Sequence, residues 1–250
     1  MRSIQTLPIR SNVEQLSRRF ACGVILDVLR ASTTAAVALD HGARAIHPCA
    51  SRNEAWNRRK ELRREGIDPL LCGERGGSKI EGFDLGNSPR EFTREQVEGR
   101  TLIMATTNGT KALKAAERAA DEIALGAYVN AGAVADRLAA GEGDALLVCS
   151  GKLGFFSVED FIGAGLILSE LLKRVPPETF QLDDASRAAL EQYRMHQDRL
   201  LELLQSCSHG AYLIECGFGD DLPICAEAGS TTQVPTYRDG VLLGTKLASR

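Results

Sequence analysis

Asp27 ends the apolar run Val24-Ile25-Leu26, and Arg30, Ser32, Thr33 and Thr34 follow it before a run of alanines. An acid, a cation and three hydroxyls at the mouth of a buried strand are the makings of a charged-ligand site. The acid can hold a metal ion or attack phosphorus, and the hydroxyls can donate to an anion. Three further stretches share this character. "GERGGSKIEGFDLGNSP" (73–89) supplies Arg75, Lys79, Asp84 and Asn87; "ATTNGTKAL" (105–113) supplies Thr107, Asn108, Gly109 and Thr110; and "CSGKLGFFSVEDFIGAG" (149–165) supplies Glu159 and Asp160.

Ser32-Thr33-Thr34 and Thr107-Asn108-Gly109-Thr110 each open a helix, where free N–H groups and the positive end of the dipole favour an anion such as phosphate. Arg75, Lys79, Asp84 and Asn87 are candidates for anion or metal contact. Asp27, Asp84, Glu159 and Asp160 form a candidate hard-oxygen set for magnesium, which uses few carboxylates plus water and substrate phosphate. Each feature also has a plainer structural use. Ser, Thr and Asn cap helices, Asp27 can pair with Arg30, Ser88-Pro89-Arg90-Glu91 reads as a capping box, and so does Ser157 with Asp160. Four acids on four such loops, with cations interleaved, make simple ion pairing the less sufficient account.

Short apolar runs predict strands over 23–26, 45–47, 69–72, 101–105, 122–125 and 145–149. Helical patterns over 33–41, 53–65, 111–120, 131–140 and 159–173 separate them. That alternation implies crossover connections and an α/β fold, a three-layer α/β/α sandwich around a largely parallel or mixed sheet. In such a sheet the loops after strand carboxyl ends gather at one edge, where ligands bind. "VILDVLRASTTAAVALDHGARAI" and "LIMATTNGTKALKAAERAADEIA" share the order strand, polar loop, helix, strand, and the echo predicts duplicated halves at 20–97 and 98–175. Residues 176–250 read as an appendage on the same domain: a long amphipathic helix over 184–205, a short one over 208–215, and a hairpin with an edge strand over 231–243. His196 falls within the long helix with no partner in sight and reads as a surface residue.

The 250 residues carry a formal charge of −3, which gives no argument for nucleic acid or an anionic membrane, so an anionic substrate needs local cations. No apolar run approaches a membrane span, and the first twenty residues lack a signal-peptide core, so the expected setting is cytoplasmic. Seven cysteines with no C-x-x-C pair argue against a disulfide framework. Cys207, His209, Cys216 and Cys225 allow a zinc reading that their spacing does not favour over burial.

Taken together the four loops resemble the 2-phosphosulfolactate phosphatase family, most specifically in "DVLRASTT", "GFDLGNSP", "TTNGT" and the "ED" followed by "GAG". The resemblance extends over nearly the whole chain, including "SHGAYLIECGFGDDLPICAEAG". It implies a three-layer α/β fold unlike the common phosphatase scaffolds. It also implies magnesium-dependent hydrolysis of 2-phospho-3-sulfolactate to 3-sulfolactate and phosphate, a step towards coenzyme M.

On the residue types, Asp27 with some of Asp84, Glu159 and Asp160 would hold magnesium (Mg2+), and the two hydroxyl-rich helix starts would hold the phosphoryl oxygens. Arg30, Arg75 and Lys79 would meet the substrate's acidic groups, with Asp27 and Arg30 as the catalytic pair. Metal-assisted attack by water and direct attack by Asp27 both stay open. A haloacid-dehalogenase-type phosphatase would need a second Asp two residues after the first, where this chain has Leu29. A non-catalytic module binding a phosphorylated or sulfonated metabolite is the other reading, and the long amphipathic helix suits a homodimer interface as well as a core.

Overall fold

A computed structural model of the chain describes residues 1–246. Its strands are β1 (Arg2–Leu7), β2 (Phe20–Leu26), β3 (Ala45–Cys49), β4 (Leu70–Arg75), β5 (Ser78–Lys79), β6 (Thr101–Ala105), β7 (Ala120–Gly126), β8 (Ala145–Cys149), β9 (Phe180–Leu182), β10 (Gln233–Arg238) and β11 (Val241–Lys246). The helices are α1 (Ala31–Asp40), α2 (Arg52–Arg64), α3 (Arg94–Val97), α4 (Gly109–Ala116) and α5 (Ala131–Ala140), then α6 (Val158–Leu172), α7 (Asp184–His196), α8 (Leu200–Ser206), α9 (Ser208–Glu215) and α10 (Leu222–Ala226).

The eleven strands form one mixed sheet in the order β5-β4-β6-β3-β11-β10-β7-β2-β8-β1-β9. Strand residues alternate between its faces. Val24, Leu26 and Leu147 pack with α5, α6 and α7, whereas Ile25, Leu146 and Val148 pack with α1 and α4. Helices on both faces of an α/β sheet make the three-layer arrangement that the alternating elements imply. Helix α6 is apolar nearly all round because it lies between the sheet and α7, and Gly165 lets the α7 backbone approach: a Cβ there would sit 2.0 Å from the Ala189 oxygen.

Two parallel groups, β4-β6-β3 and β7-β2-β8-β1-β9, are joined by the β10–β11 hairpin, which pairs antiparallel on each side. The hairpin follows from Asp239-Gly240, both at positive φ, the two-residue turn whose twist matches paired strands. Its place does not follow the expectation: it lies at the centre of the sheet rather than at an edge, because β7 and β3 each leave a side open for it. Among the described residues β11 pairs with β3 only at Leu242 opposite Ile46, a narrow seam. Three antiparallel steps reverse the strand direction between the groups, yet the loops after β2 and β6 come into contact, with Gly109 against Asp27 and Ala31.

The segments that echo each other exchange strands: β2 sits between β7 and β8, and β6 sits between β3 and β4. Beyond the expected elements, β1 and β9 add the far edge of the sheet. The pattern expected as one helix over 184–205 divides into α7 and α8 around a 3-10 turn at Gln197–Arg199. His196 is half-buried, its Nδ1 2.9 Å from the Gln192 oxygen. The last four residues of the expected appendage, 247–250, lie outside the described residues. No helix among those described is long and apolar enough to cross a membrane.

Candidate active site where four loops meet

The loop after β2 folds back on itself. The Asp27 N–H donates to Ser32 Oγ at 3.1 Å, and the Ser32 N–H donates to the Asp27 carbonyl at 2.9 Å. Thr33 Oγ1 donates to the Val28 carbonyl at 2.8 Å, and Thr34 Oγ1 to the Asn87 carbonyl at 3.0 Å. The three hydroxyls are therefore spent on closing the loop and tying it to residues 86–88. Their work is to present Asp27, whose buried carboxylate accepts from the Ala31 N–H at 3.3 Å and from Ser150 Oγ at 3.2 Å.

Carboxylates stitch the remaining loops together. Glu74 Oε1 accepts from the Thr107 N–H at 2.7 Å and its Oε2 from the Gly77 N–H at 2.9 Å, joining the loops after β4 and β6. Asp160 accepts from the Val28 N–H at 2.9 Å and the Gly151 N–H at 3.0 Å, joining those after β2 and β8. Glu159 Oε1 lies 3.2 Å from His209 Nδ1, reaching the C-terminal helices. Neither capping box forms: Ser157 caps nothing with its side chain, and Ser88 Oγ donates instead to Asp221 Oδ1 at 2.5 Å. Arg30 Nη1 donates to the other Asp221 oxygen at 2.6 Å, and its Nη2 to the Gly77 carbonyl at 2.8 Å.

These contacts enclose a pocket of about 40 Å³, lined among others by Asp27, Arg30, Glu74, Asn87, Thr106, Asn108 and His209. Larger hollows of about 450 and 620 Å³ lie elsewhere and mix acids with cations at the surface. The small pocket is set apart by buried, convergent polar groups. Burial, opposed by His209 and the Ala31 N–H but reinforced by Glu74, pushes the Asp27 carboxyl above its usual range. Asp160 is pushed well above it, by burial first and then by Glu159 and Asp27. Of the five buried side-chain polar atoms without a hydrogen-bond partner among the described residues, two are here: Asn87 Oδ1 lining the pocket and Thr107 Oγ1 next to it. At the start of α4 the N–H groups of Asn108, Gly109 and Thr110 meet no acceptor among the described residues. Gly109 comes so close that a Cβ there would lie 3.1 Å from Asp27 Oδ2.

Of the residues singled out in the sequence, Asp27, Arg30, Asn87 and Asn108 line the pocket, with Gly109 against Asp27 and Thr107 adjoining Glu74. Glu159 and Asp160 lie buried beside it as loop ties. Thr110 Oγ1 turns away and donates to the Cys49 carbonyl at 3.1 Å. Asp84 is not brought in: its Oδ2 accepts from the Leu71 N–H at 2.7 Å, with Arg59 3.8 Å away. Arg75 Nη2 is held by the Ala50 carbonyl at 2.8 Å, and Lys79 is exposed on β5; neither lines the pocket.

Glu74, His209, Ser150 and Asp221 are the site residues that sequence reasoning passed over. Glu74 had a signal in its position between Gly73 and Arg75 at the end of a buried strand. His209 drew notice only beside three cysteines, and Asp221 only within the stretch that resembles the family; nothing local ties either to Asp27, since both arrive from the far end of the chain. The seven cysteines are free, and burial pushes the thiols of Cys49, Cys207 and Cys225 up to about 12.

Among the described residues no three His, Cys, Asp or Glu side chains are grouped to cage a metal ion. Magnesium needs no such cage, because one or two carboxylates with waters and phosphate oxygens suffice. Asp27 and Glu74 fit that requirement: both are buried, both line the pocket, and each carboxylate oxygen keeps a lone pair beyond its one hydrogen bond.

The sequence pattern of the 2-phosphosulpholactate phosphatase family matches residues 9–240. A protein of Carboxydothermus hydrogenoformans named "Probable 2-phosphosulfolactate phosphatase" is 43% identical over 212 residues, covering 85% of this chain and 84% of its own. Proteins of the same name from Symbiobacterium thermophilum and Clostridium acetobutylicum are 38% and 37% identical, covering 91% and 88% of this chain and 94% and 91% of their own. With the match running through all four loops and on into the segment that carries His209 and Asp221, the chain belongs to the 2-phosphosulpholactate phosphatase family.

Proposed function

We propose that the chain hydrolyses the phosphate monoester of a small acidic metabolite, with 2-phospho-3-sulfolactate as the substrate and 3-sulfolactate and phosphate as products. The observation that carries this reading is the convergence of buried Asp27 and Glu74, the unpaired N–H groups of α4 and the Arg30 guanidinium on one small pocket. Four buried carboxylates gather there, while Arg30 is already paired with Asp221, so the acids call for a further cation before an anionic ester can enter. Asp27 and Glu74 would hold magnesium, which supplies charge neutralisation for the transferring phosphoryl group.

The chain's own residues do the rest. The first turn of α4 binds phosphoryl oxygens through N–H groups aligned with the helix dipole. Arg30 faces the acidic group of the substrate. Glu159 fixes the His209 ring through Nδ1, which leaves Nε2 to hold a proton for the departing alkoxide oxygen. Asp27 either orients the attacking water or attacks phosphorus itself, and chemical trapping of an aspartyl-phosphate separates the two.

A place in coenzyme M-type sulfonate synthesis, and a cytoplasmic setting for it, belong to the same reading, of which the family's name supports the substrate. The strand exchange in the sheet, with the loops after β2, β4, β6 and β8 all meeting at this site, supports reading 20–97 and 98–175 as duplicated halves completed by an appendage from 176 onwards. The test is phosphate release from a panel of phosphorylated two- to four-carbon acids and an aryl phosphate, with magnesium or with chelator. Magnesium-dependent turnover that favours 2-phospho-3-sulfolactate is expected. Tight binding of these esters without turnover would instead support the binding-module reading.

A further inference from the structure

Arg30 is the sole Lys or Arg side chain lining the pocket among the described residues, so it is the cation available to a second acidic group on the substrate. Its position is set from behind. Nη1 is paired with Asp221 at 2.6 Å with both side chains 2% exposed, Nη2 is held by the Gly77 carbonyl, and the Phe218 ring lies 4.5 Å from its Cζ. Asp221 is itself fixed by Ser88 Oγ and does not line the pocket. Two of the five guanidinium N–H donors are thereby used, and three stay available. Stability alone does not explain the pair, because a buried ion pair seldom outperforms well-packed apolar residues of similar volume. A guanidinium held rigid at a binding pocket does explain it, since preorganisation lowers the cost of fixing the ligand.

We propose that Asp221 is a positioning residue that holds the Arg30 guanidinium for the carboxylate or sulfonate of the substrate, so that the C-terminal segment sets the preference for acid-bearing phosphate esters. The proposal rests on the phosphatase reading above. It assigns to residues 218–221 a part in specificity rather than a packing role.

The experiment compares kcat and KM of wild type, Asp221→Asn and Asp221→Ala on 2-phospho-3-sulfolactate and on 4-nitrophenyl phosphate, which carries no second acidic group. For Asp221→Ala the KM for the acid-bearing ester rises about ten-fold or more, while both constants for the aryl phosphate stay within about two-fold of wild type. Asp221→Asn falls between. Arg30→Ala combined with Asp221→Ala is no worse than Arg30→Ala alone, as expected of residues acting in series. If Asp221→Ala does not fold, Ser88→Ala takes its place, with the same selective rise at about three-fold. Equal losses on both esters, or no change on either, in a variant with wild-type melting overturn the proposal. A wild type that releases phosphate from neither ester sinks the phosphatase reading first and this proposal with it.

Discussion

Replacing Gly109 by alanine probes the closest approach in the site. The Cβ it adds would lie 3.1 Å from Asp27 Oδ2, 3.1 Å from the Ala31 Cβ and 3.4 Å from Thr106 Oγ1. The Ala31 Cβ has no rotamer to escape into, so the starts of α1 and α4 must part by a few tenths of an ångström. Overpacking of this kind costs about 1–3 kcal/mol, and alanine returns up to about 1 kcal/mol in helix propensity and unfolded-state entropy. The net destabilisation should therefore be no more than about 3 kcal/mol.

Activity is more sensitive. A misplacement of 1 Å can cost about 100-fold, so a few tenths should cost roughly four- to twenty-fold in kcat. The new methyl would also fill the space between Asp27 and the α4 N–H groups that the phosphoryl group is expected to use. Steady-state phosphate release measured beside thermal melting reads both effects. A folded Gly109→Ala protein with wild-type kcat would refute the placement of the phosphoryl group between Asp27 and α4.

Three other outcomes follow from the same geometry. Asp27 and Asp160 have folded pKa values raised by burial, so above 3.8 the native state binds more protons than the unfolded one. That component is read in chelator as the difference between wild type and Asp27→Asn, whose melting temperature should gain on the wild type as pH rises through that window, with magnesium shrinking the gain; a gain that does not grow with pH would contradict it. His47 is lowered to about 4, by burial first and then by Arg58. The unfolded chain takes up that proton first, so stability should drop on the order of 2 kcal/mol, less where pocket water screens it, between about pH 6.5 and 4; a His47→Gln variant should lack this component of acid sensitivity on melting. At Gly73 a Cβ would sit 2.0 Å from the Ala105 oxygen between paired strands, so Gly73→Ala should fail to fold or lose more than about 3 kcal/mol on urea titration, and wild-type stability would count against the β4–β6 register.

The strands over 101–105 and 145–149 and the alternation of strands with helices were legible because apolar runs bounded by polar loops are local signals. Asp27 was legible for the same reason: an acid closing a buried strand stands out in the chain itself. The central hairpin was not, because Asp239-Gly240 announces a turn and says nothing about which strands flank it. Asp84, Arg75 and Lys79 drew attention through their loop's composition, yet the turn from Gly76 to Phe83 directs them outward and leaves Glu74 facing in. Glu74 was not singled out among the polar residues of its loop. Its actual partners, the Thr107 and Gly77 N–H groups, are backbone groups that composition does not reveal. His209 and Asp221 reach the site only through packing of the C-terminal helices, a contact between residues more than 180 positions from Asp27 in the chain.

The central claim is that the Asp27 carboxylate carries phosphate-ester hydrolysis, and it meets its most direct test in the initial rate of phosphate release from 2-phospho-3-sulfolactate by wild type and Asp27→Asn at one pH with magnesium. The account predicts a loss of at least about 100-fold. It also predicts melting no lower than wild type, since a neutral amide relieves a buried acid. An Asp27→Asn protein that releases phosphate at the wild-type rate would contradict it.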